Sequence, residues 1–180
     1  WLPARGKAKW YVPNELYASY RAHIVESQVK VLDLPTHVQG ACRGLLDFLR
    51  VQINPPPSVV IKHLLHCASK SIQVHSQVYQ FLNDEGITDP TLNMLKGKRC
   101  LCIGAKYLSP KEVFWTEHPF GRYRSRLGEE LQKYGALLKY LGVREAPVWE
   151  DAVNGIREIS TEYAPTNRPL DEETHAIVMA

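Results

Sequence analysis

Apolar residues in the first half of the chain recur at helical spacing. Val38, Cys42, Leu45 and Leu49 fall four, three and four apart, which puts them on one face of a helix. Thr36, just ahead of them, is the expected N-cap, and Asn54-Pro55-Pro56-Pro57 breaks the pattern. Ile61, Leu64, Leu65 and Ala68 predict a second helix from Ser58 onward. Val74, Val78, Phe81 and Leu82 predict a third, ended by Gly86 as the C′ residue. Asp89-Pro90 pairs an N-cap with a proline at the first helical position, so a short helix is expected over Thr91 to Leu95, closed by Gly97. In the second half, Leu127, Leu131, Tyr134, Leu138 and Leu141 form a helical stripe that Gly142 stops. Pro147 introduces another helix, with Trp149, Ala152, Val153, Ile156, Ile159 and Tyr163 expected on its buried side. Pro165 to Pro169 reads as a linker, and Asp171 as the cap of a last helix whose first turn holds Glu172 and Glu173, where acids suit the helix dipole.

Two stretches carry strand and turn signals instead. Trp1 to Ala4 and Ala8 to Val12 flank Arg5-Gly6-Lys7, and Arg99 to Ile103 and Lys106 to Leu108 flank Gly104-Ala105. Each reads as a β-hairpin. Pro13 and Pro110 end them, because proline has no N–H to give to a ladder. Residues 14–35 look irregular, with Val31 to Leu34 a short strand or a core-packing loop. Phrases then repeat. Leu45-Leu46-Asp47-Phe48-Leu49 through Pro55 returns 92 residues later as Leu137-Leu138-Lys139-Tyr140-Leu141 through Pro147. Tyr11 to Tyr17 returns 96 residues later as Tyr107 to Phe114. The expected fold is therefore α+β and mostly helical: two similar units, 1–95 and 96–180, each a hairpin followed by packed helices, in one continuous core or two. A lone hairpin is marginal in water, so each must rest on its helices. Trp10, Trp115 and Trp149 lie at matching parts of the units and are expected in the core.

Lys106-Tyr107-Leu108-Ser109-Pro110-Lys111-Glu112-Val113-Phe114, Leu137 to Val143, Pro147 and Asp151-Ala152-Val153 together resemble the repeat segments of sacsin-like proteins. Val78-Tyr79-Gln80-Phe81-Leu82 is similar to a helix that precedes that first phrase in the family. In such proteins a GHKL-type ATPase domain is followed by long repetitive regions. The resemblance implies a non-catalytic structural or interaction module of a larger chaperone-like or scaffold protein, relaying between a distant ATPase domain and a partner. That partner would be another protein or another domain of the same longer chain. No D-x-G-x-G run is present, so nucleotide binding does not carry over to this segment, and His118-Pro119 is followed by Phe120 rather than the aspartate of a J-domain.

Composition adds little against this picture. Of 180 residues, 44% are hydrophobic and 23% charged, near the soluble average. No apolar run approaches the roughly 18 residues of a membrane helix, and no secretory signal pattern occurs, so no membrane partner is expected. The start at Trp1 inside a strand pattern and the end inside a helical one suggest a segment of a longer protein. Four cysteines do not make a disulfide framework in a chain this long, and a reducing, cytoplasmic setting is the expectation.

Charge is unevenly spread. Residues 96–126 hold Lys96, Lys98, Arg99, Lys106, Lys111, Arg122, Arg124 and Arg126 against Glu112 and Glu117, whereas residues 127–180 hold five basic and ten acidic residues. The most distinctive polar run is His118 to Arg126. Its alternating Arg122, Arg124 and Arg126, with Tyr123 between, suit phosphates and a stacked base or the carboxylates of a protein partner. Equally, they suit internal pairing with acids such as Glu129 and Glu130. The alternative to a scaffold is thus a nucleic-acid-binding module using Arg122, Tyr123, Arg124, Arg126, Lys96, Lys98 and Arg99. A weaker one is a metal- or thiol-dependent enzyme using His63 and His66 with Cys67, His75 or Cys100. Cys100-x-Cys102 is too tight for a usual zinc pair and fits a strand face better. No P-loop, nucleophile elbow, dinucleotide fingerprint or H-E-x-x-H occurs, and no cofactor, resident metal or catalytic residue is assigned.

Overall fold

Each unit begins with a hairpin that turns on a left-handed glycine: Gly6 has φ +66° and Gly104 has φ +60°, a region open to glycine without a Cβ clash. In the computed structural model, which describes residues 1–165 and 168–179, the fold is α+β and mostly helical. The chain divides into Trp1–Leu95 and Lys96–Ala180.

In the first unit, β1 (Leu2–Pro3) and β2 (Trp10–Tyr11) pair antiparallel, with Leu2 opposite Tyr11. Pro13–Glu15 makes a 3-10 turn into β3 (Leu16–Tyr17). A second 3-10 stretch, Ser19–Ile24, leads to β4 (Lys30–Val31), which runs parallel to β3. Tyr17 also bridges Gln52 on its other side. Helices α1 (Thr36–Ala41), α2 (Arg43–Phe48), α3 (Pro57–Lys70) and α4 (Gln77–Asp84) follow, then a 3-10 stretch Pro90–Leu95. Tyr11, Leu16, Ala18, Leu32, Leu46 and Val51 fill a common core.

The second unit repeats that order. Its hairpin is β5 (Leu101–Ile103) and β6 (Lys106–Leu108), followed by a 3-10 turn at Pro110–Glu112 and β7 (Val113–Phe114). β8 (Ser125–Arg126) runs parallel to β7, and Phe114 bridges Arg144 on the far side, as Tyr17 bridges Gln52. α5 (Glu129–Gln132), α6 (Gly135–Leu141), α7 (Trp149–Tyr163) and α8 (Glu172–Met179) complete it. Equivalent buried positions carry the same chemistry: Tyr11 and Tyr107, Leu16 and Val113, Leu32 and Leu127, Leu46 and Leu138, Val51 and Val143.

The structure differs from the sequence expectation in local ways. Residues 14–35 hold two short strands and two 3-10 turns rather than irregular chain. Thr36 is the first helical residue, and Pro35 stands at the cap. The helix expected over 36–49 breaks at Cys42, where φ is −103° and ψ 19°. Its buried residues are Gln39 and Leu46, one position round from the expected stripe, which leaves Leu45 55% exposed. Buried Gln39 is satisfied: it accepts from the Ser19 N–H at 2.9 Å and donates to the Leu34 carbonyl at 2.6 Å. The 127–141 stripe is buried throughout, but it spans two helices that part at Tyr134. On α7 the buried line is Asp151, Gly155 and Ile159, while Trp149 is 71% exposed. Trp10 is exposed as well, so of the three tryptophans expected in the core only Trp115 is half-buried. Gly86 is not left-handed; it is buried against Leu82, whose backbone would lie 3.1 Å from an added Cβ. Asp89 and Asp171 do cap, each accepting a backbone N–H, from Thr91 and Thr174, at 2.8 Å. The linker expected at Pro165 to Pro169 lies partly outside the described residues.

Both second helices end on a left-handed residue, Arg50 at φ +61° and Gly142 at φ +83°. There the next N–H turns back: Val51 donates to the Leu46 carbonyl at 2.9 Å and Val143 to Leu138 at 3.0 Å. Arginine carries a Cβ penalty in this region that glycine lacks. Arg50→Gly should therefore stabilise the chain by roughly 0.5–1 kcal/mol, and Gly142→Ala should destabilise it by about 1 kcal/mol, both read by chemical denaturation.

Candidate interaction surface

The three arginines of the basic run expected to form a site are paired with carboxylates, and only Arg124 is covered. β8 and the 3-10 turn before it (Gly121–Tyr123) present Arg122 and Arg124 to acids of α7. Arg124 grips Glu158 with both arms, at 2.8 and 3.1 Å, and its side chain is only 8% exposed. Arg122 reaches Glu162 at 3.0 Å and Asp171 at 3.3 Å, and the Tyr123 hydroxyl donates to Glu162 at 2.8 Å. Arg126 pairs with Glu117. The acids are thus Glu117, Glu158, Glu162 and Asp171 rather than Glu129 and Glu130. Lys96 lies over the Tyr140 ring at 4.5 Å, Arg99 pairs with Glu112 at 3.3 Å, and Lys98 is exposed. The seven residues of the expected site therefore do not converge on one patch: Lys98 is exposed and the other six face several different partners.

Two residues that sequence reasoning passed over complete the ladder. Arg144 packs on Phe114, 5.3 Å from the ring centre, and donates to Asp151 at 2.5 Å, while the Val148 N–H donates to the other Asp151 oxygen at 2.8 Å. Asp151, Glu158 and Glu162 lie seven and four apart on α7, one face of a helix. That spacing was the signal available in the sequence. Burial opposes the charge on Asp151, but Arg144 and the Val148 N–H outweigh it and hold the carboxyl below its usual range. Bonds from the Tyr163 hydroxyl and the Thr174 N–H hold Asp171 well below its own. An open groove of about 960 Å³ runs beside this ladder, lined among others by Lys111, Arg144, Asp151, Arg157 and Glu158.

The histidines and cysteines lie apart from it. His63 is buried, with Nδ1 2.7 Å from the Ser27 hydroxyl and Nε2 3.7 Å from Cys67 Sγ. The His23 and His75 rings meet at a tilt of 55°, with their centres 4.6 Å apart. Burial pushes the Cys100 thiol up to about 12, which keeps it protonated at neutral pH and so a poor nucleophile. Among the described residues no group of three or more His, Cys, Asp or Glu is placed to hold a metal, and no helix is long and apolar enough to cross a membrane.

One apolar surface differs between the units. On α2, Leu45 is 55% and Phe48 82% exposed. Their equivalents on α6 are Leu137, which is 1% exposed, and Tyr140, half-buried beneath Lys96. No protein-family model, curated protein or solved structure matches the chain.

Two outcomes follow from the ladder. Unfolded carboxyls titrate near pH 4, and those of Asp151 and Asp171 are lowered in the fold. Their contribution is complete above that pH and drains away as pH falls through the folded values; an acid titration followed by amide NMR should show contacts of α7 and α8 lost below about pH 4. Glu158→Ala leaves the Arg124 guanidinium, 8% exposed, with no carboxylate and only its bond to the Tyr123 carbonyl at 2.6 Å, and should cost about 1–2 kcal/mol in denaturant unfolding, allowing for the exposure of the carboxylate.

Proposed function

We propose that this chain is a non-catalytic interaction module built of two sacsin-like repeat units, part of a larger chaperone-like or scaffold protein. The observation that carries the reading is the pair of equivalent helix faces. Two units share one backbone plan, yet the apolar face of α2 is bare where that of α6 is covered. Exposed apolar faces of this kind are characteristic of surfaces that meet another protein. The occupant is a further unit of the same architecture, brought by a longer chain or by a second copy. It would present a lysine-bearing lead-in such as the one that covers Tyr140 in the second unit. The sacsin-like resemblance, with its long repetitive regions, supports units that pack on one another. Four cysteines, none of them in a disulfide among the described residues, support a reducing, cytoplasmic setting. Nucleic-acid binding through residues 96–126 is the competing reading. It has less support, because Arg122, Arg124 and Arg126 already have carboxylate partners.

Sedimentation velocity of the whole chain tests the proposal. Concentration-dependent self-association, weak and in the high-micromolar range expected of a small interface, should appear in the wild type. It should vanish in Leu45→Ser/Phe48→Ser, whose thermal unfolding should stay close to wild type because both side chains are already exposed. Association unaffected by the double substitution, or its absence in the wild type, would sink the proposal. Anisotropy with labelled single-stranded and duplex DNA at two salt concentrations reads the competitor. Salt-sensitive binding lost in Lys96→Ala/Lys98→Ala would favour nucleic acid.

A further inference from the structure

The same seam is closed by different chemistry in the two units. Val31 and Arg126 are equivalent, each the second residue of the parallel pair with Tyr17 or Phe114. Counting back from them, Ser27 stands where Arg122 stands. The repeated proline phrase likewise aligns His63, His66 and Lys70 of α3 with Gly155, Glu158 and Glu162 of α7. In the second unit the connecting segment is therefore tied to the long helix by arginine–carboxylate pairs. In the first it is tied by Ser27 to His63, at 2.7 Å, on a histidine only 4% exposed.

Histidines extend that seam on both sides. His23, from the 3-10 stretch, meets His75 at a tilt and bonds to Gln77 at the start of α4. The charged and titratable groups facing His63 are Glu26 and His23 from the connection, and His66 and Cys67 from its own helix. Arg21, nearby in the sequence, is occupied with Glu85 at 2.8 Å. The Pro90–Leu95 stretch that packs on α3 brings no titratable group, and α4 brings only Tyr79 and Asp84. Neutral His63 accepts or donates at Nδ1 and meets a thiol at Nε2. A protonated ring would need two acceptors in a buried place, and Glu26 is the one carboxylate among the groups facing it.

We propose that the histidine seam of the first unit is a pH-sensitive latch: mild acid releases the connection around Ser27 from α3, while the arginine seam keeps the second unit closed. Burial lowers the His63 pKa from its ordinary 6.5, despite the opposing pull of Glu26. Above that pH both folded and unfolded chains hold the ring neutral, and nothing is lost. Below it the unfolded or opened segment takes up a proton that the closed seam refuses, so closure weakens until the lowered pKa is passed. Beside the second seam, the Asp151 and Asp171 carboxyls are held below their usual range. Between the two ranges one unit opens and its twin does not. The groove lined by Arg5, Lys7, Glu26, Ser27 and Lys30, about 870 Å³ in volume, adjoins the segment that would move.

Amide exchange protection factors of the whole chain, measured from pH 8 to pH 5, test this. Opening of residues 22–31 and 60–67 should increase by up to about tenfold per pH unit below 6.5, the limit for one proton. Residues 120–126 and 151–162 should keep their protection over the same range. His63→Gln, which keeps a neutral hydrogen-bonding side chain at the seam, should abolish the response. No increase in the wild type, an equal increase in both units, or an unchanged response in His63→Gln would overturn the latch. If the variant does not fold, the His63 ring can be titrated by NMR in the wild type. A midpoint below 6.5 with coupled shifts at Ser27 and Cys67 supports the latch; a midpoint at or above 6.5, or no coupled shifts, overturns it.

Discussion

Each unit depends on a strand of two residues that is paired on both sides. Tyr17 lies between Val31 and Gln52, and Phe114 between Arg126 and Arg144. The Leu32 N–H donates to the Tyr17 carbonyl and the Leu127 N–H to Phe114, both at 2.8 Å. These strands are buried, with Leu16 and Val113 fully covered, so their polar groups would be costly to leave unpaired. To pair them the chain must come back twice in parallel, once from the connection after the 3-10 turn and once after the second helix. The second return explains Arg50 and Gly142. The helix has to stop and reverse within one residue so that position 52 or 144 reaches the strand, and only a left-handed residue does that in so short a space.

How much of this could be read in the chain depends on the range of the interaction. The hairpins were legible because a glycine turn, aromatic strands and a closing proline lie within a dozen residues. So were the Asp89 and Asp171 caps and the stop at Gly142. The parallel bridges were not, because two residues give no periodicity, and their partners stand 14 and 35 positions away in the case of Tyr17. The breaks at Cys42 and Tyr134 were hidden because an apolar stripe continues across each. On α7, counting large apolar residues picked Trp149 and Ile156, yet the face that packs is marked by the small Gly155 beside Phe120 and by a charged Asp151. A buried aspartate is invisible to a hydrophobic count until its arginine is found. The arginine run was visible as charge, but its acids lie 34 to 49 residues onward, apart from the nearby Glu117.

The two seams illustrate how a shared backbone leaves polar chemistry free. The register needed to dock the connecting segment on the long helix is set by the parallel strand, so the side chains at the seam are not needed to define the fold. In the arginine seam the cations stay charged throughout, because a guanidinium does not lose its proton in a protein. A buried neutral histidine holds only while it stays neutral. The same duplication therefore yields one unit whose seam is insensitive near neutrality and one whose seam is poised there.

Duplication also separates two kinds of apolar position. Tyr11 and Tyr107, Leu16 and Val113, Leu46 and Leu138, and Val51 and Val143 are buried in both units, and the strand pairing accounts for them. Leu45 with Leu137 and Phe48 with Tyr140 are apolar or aromatic in both, but in the second Leu137 is buried and Tyr140 half-buried, whereas Leu45 and Phe48 are both exposed in the first. A phenylalanine left 82% exposed gains almost no burial energy for its own unit and costs solubility. The first unit's core does not call for it. What calls for an apolar or aromatic side chain there is whatever contact the equivalent helix makes when it is covered, and in the second unit that cover includes the Lys96 ammonium, 4.5 Å from the centre of the Tyr140 ring, a cation held against the face of the aromatic.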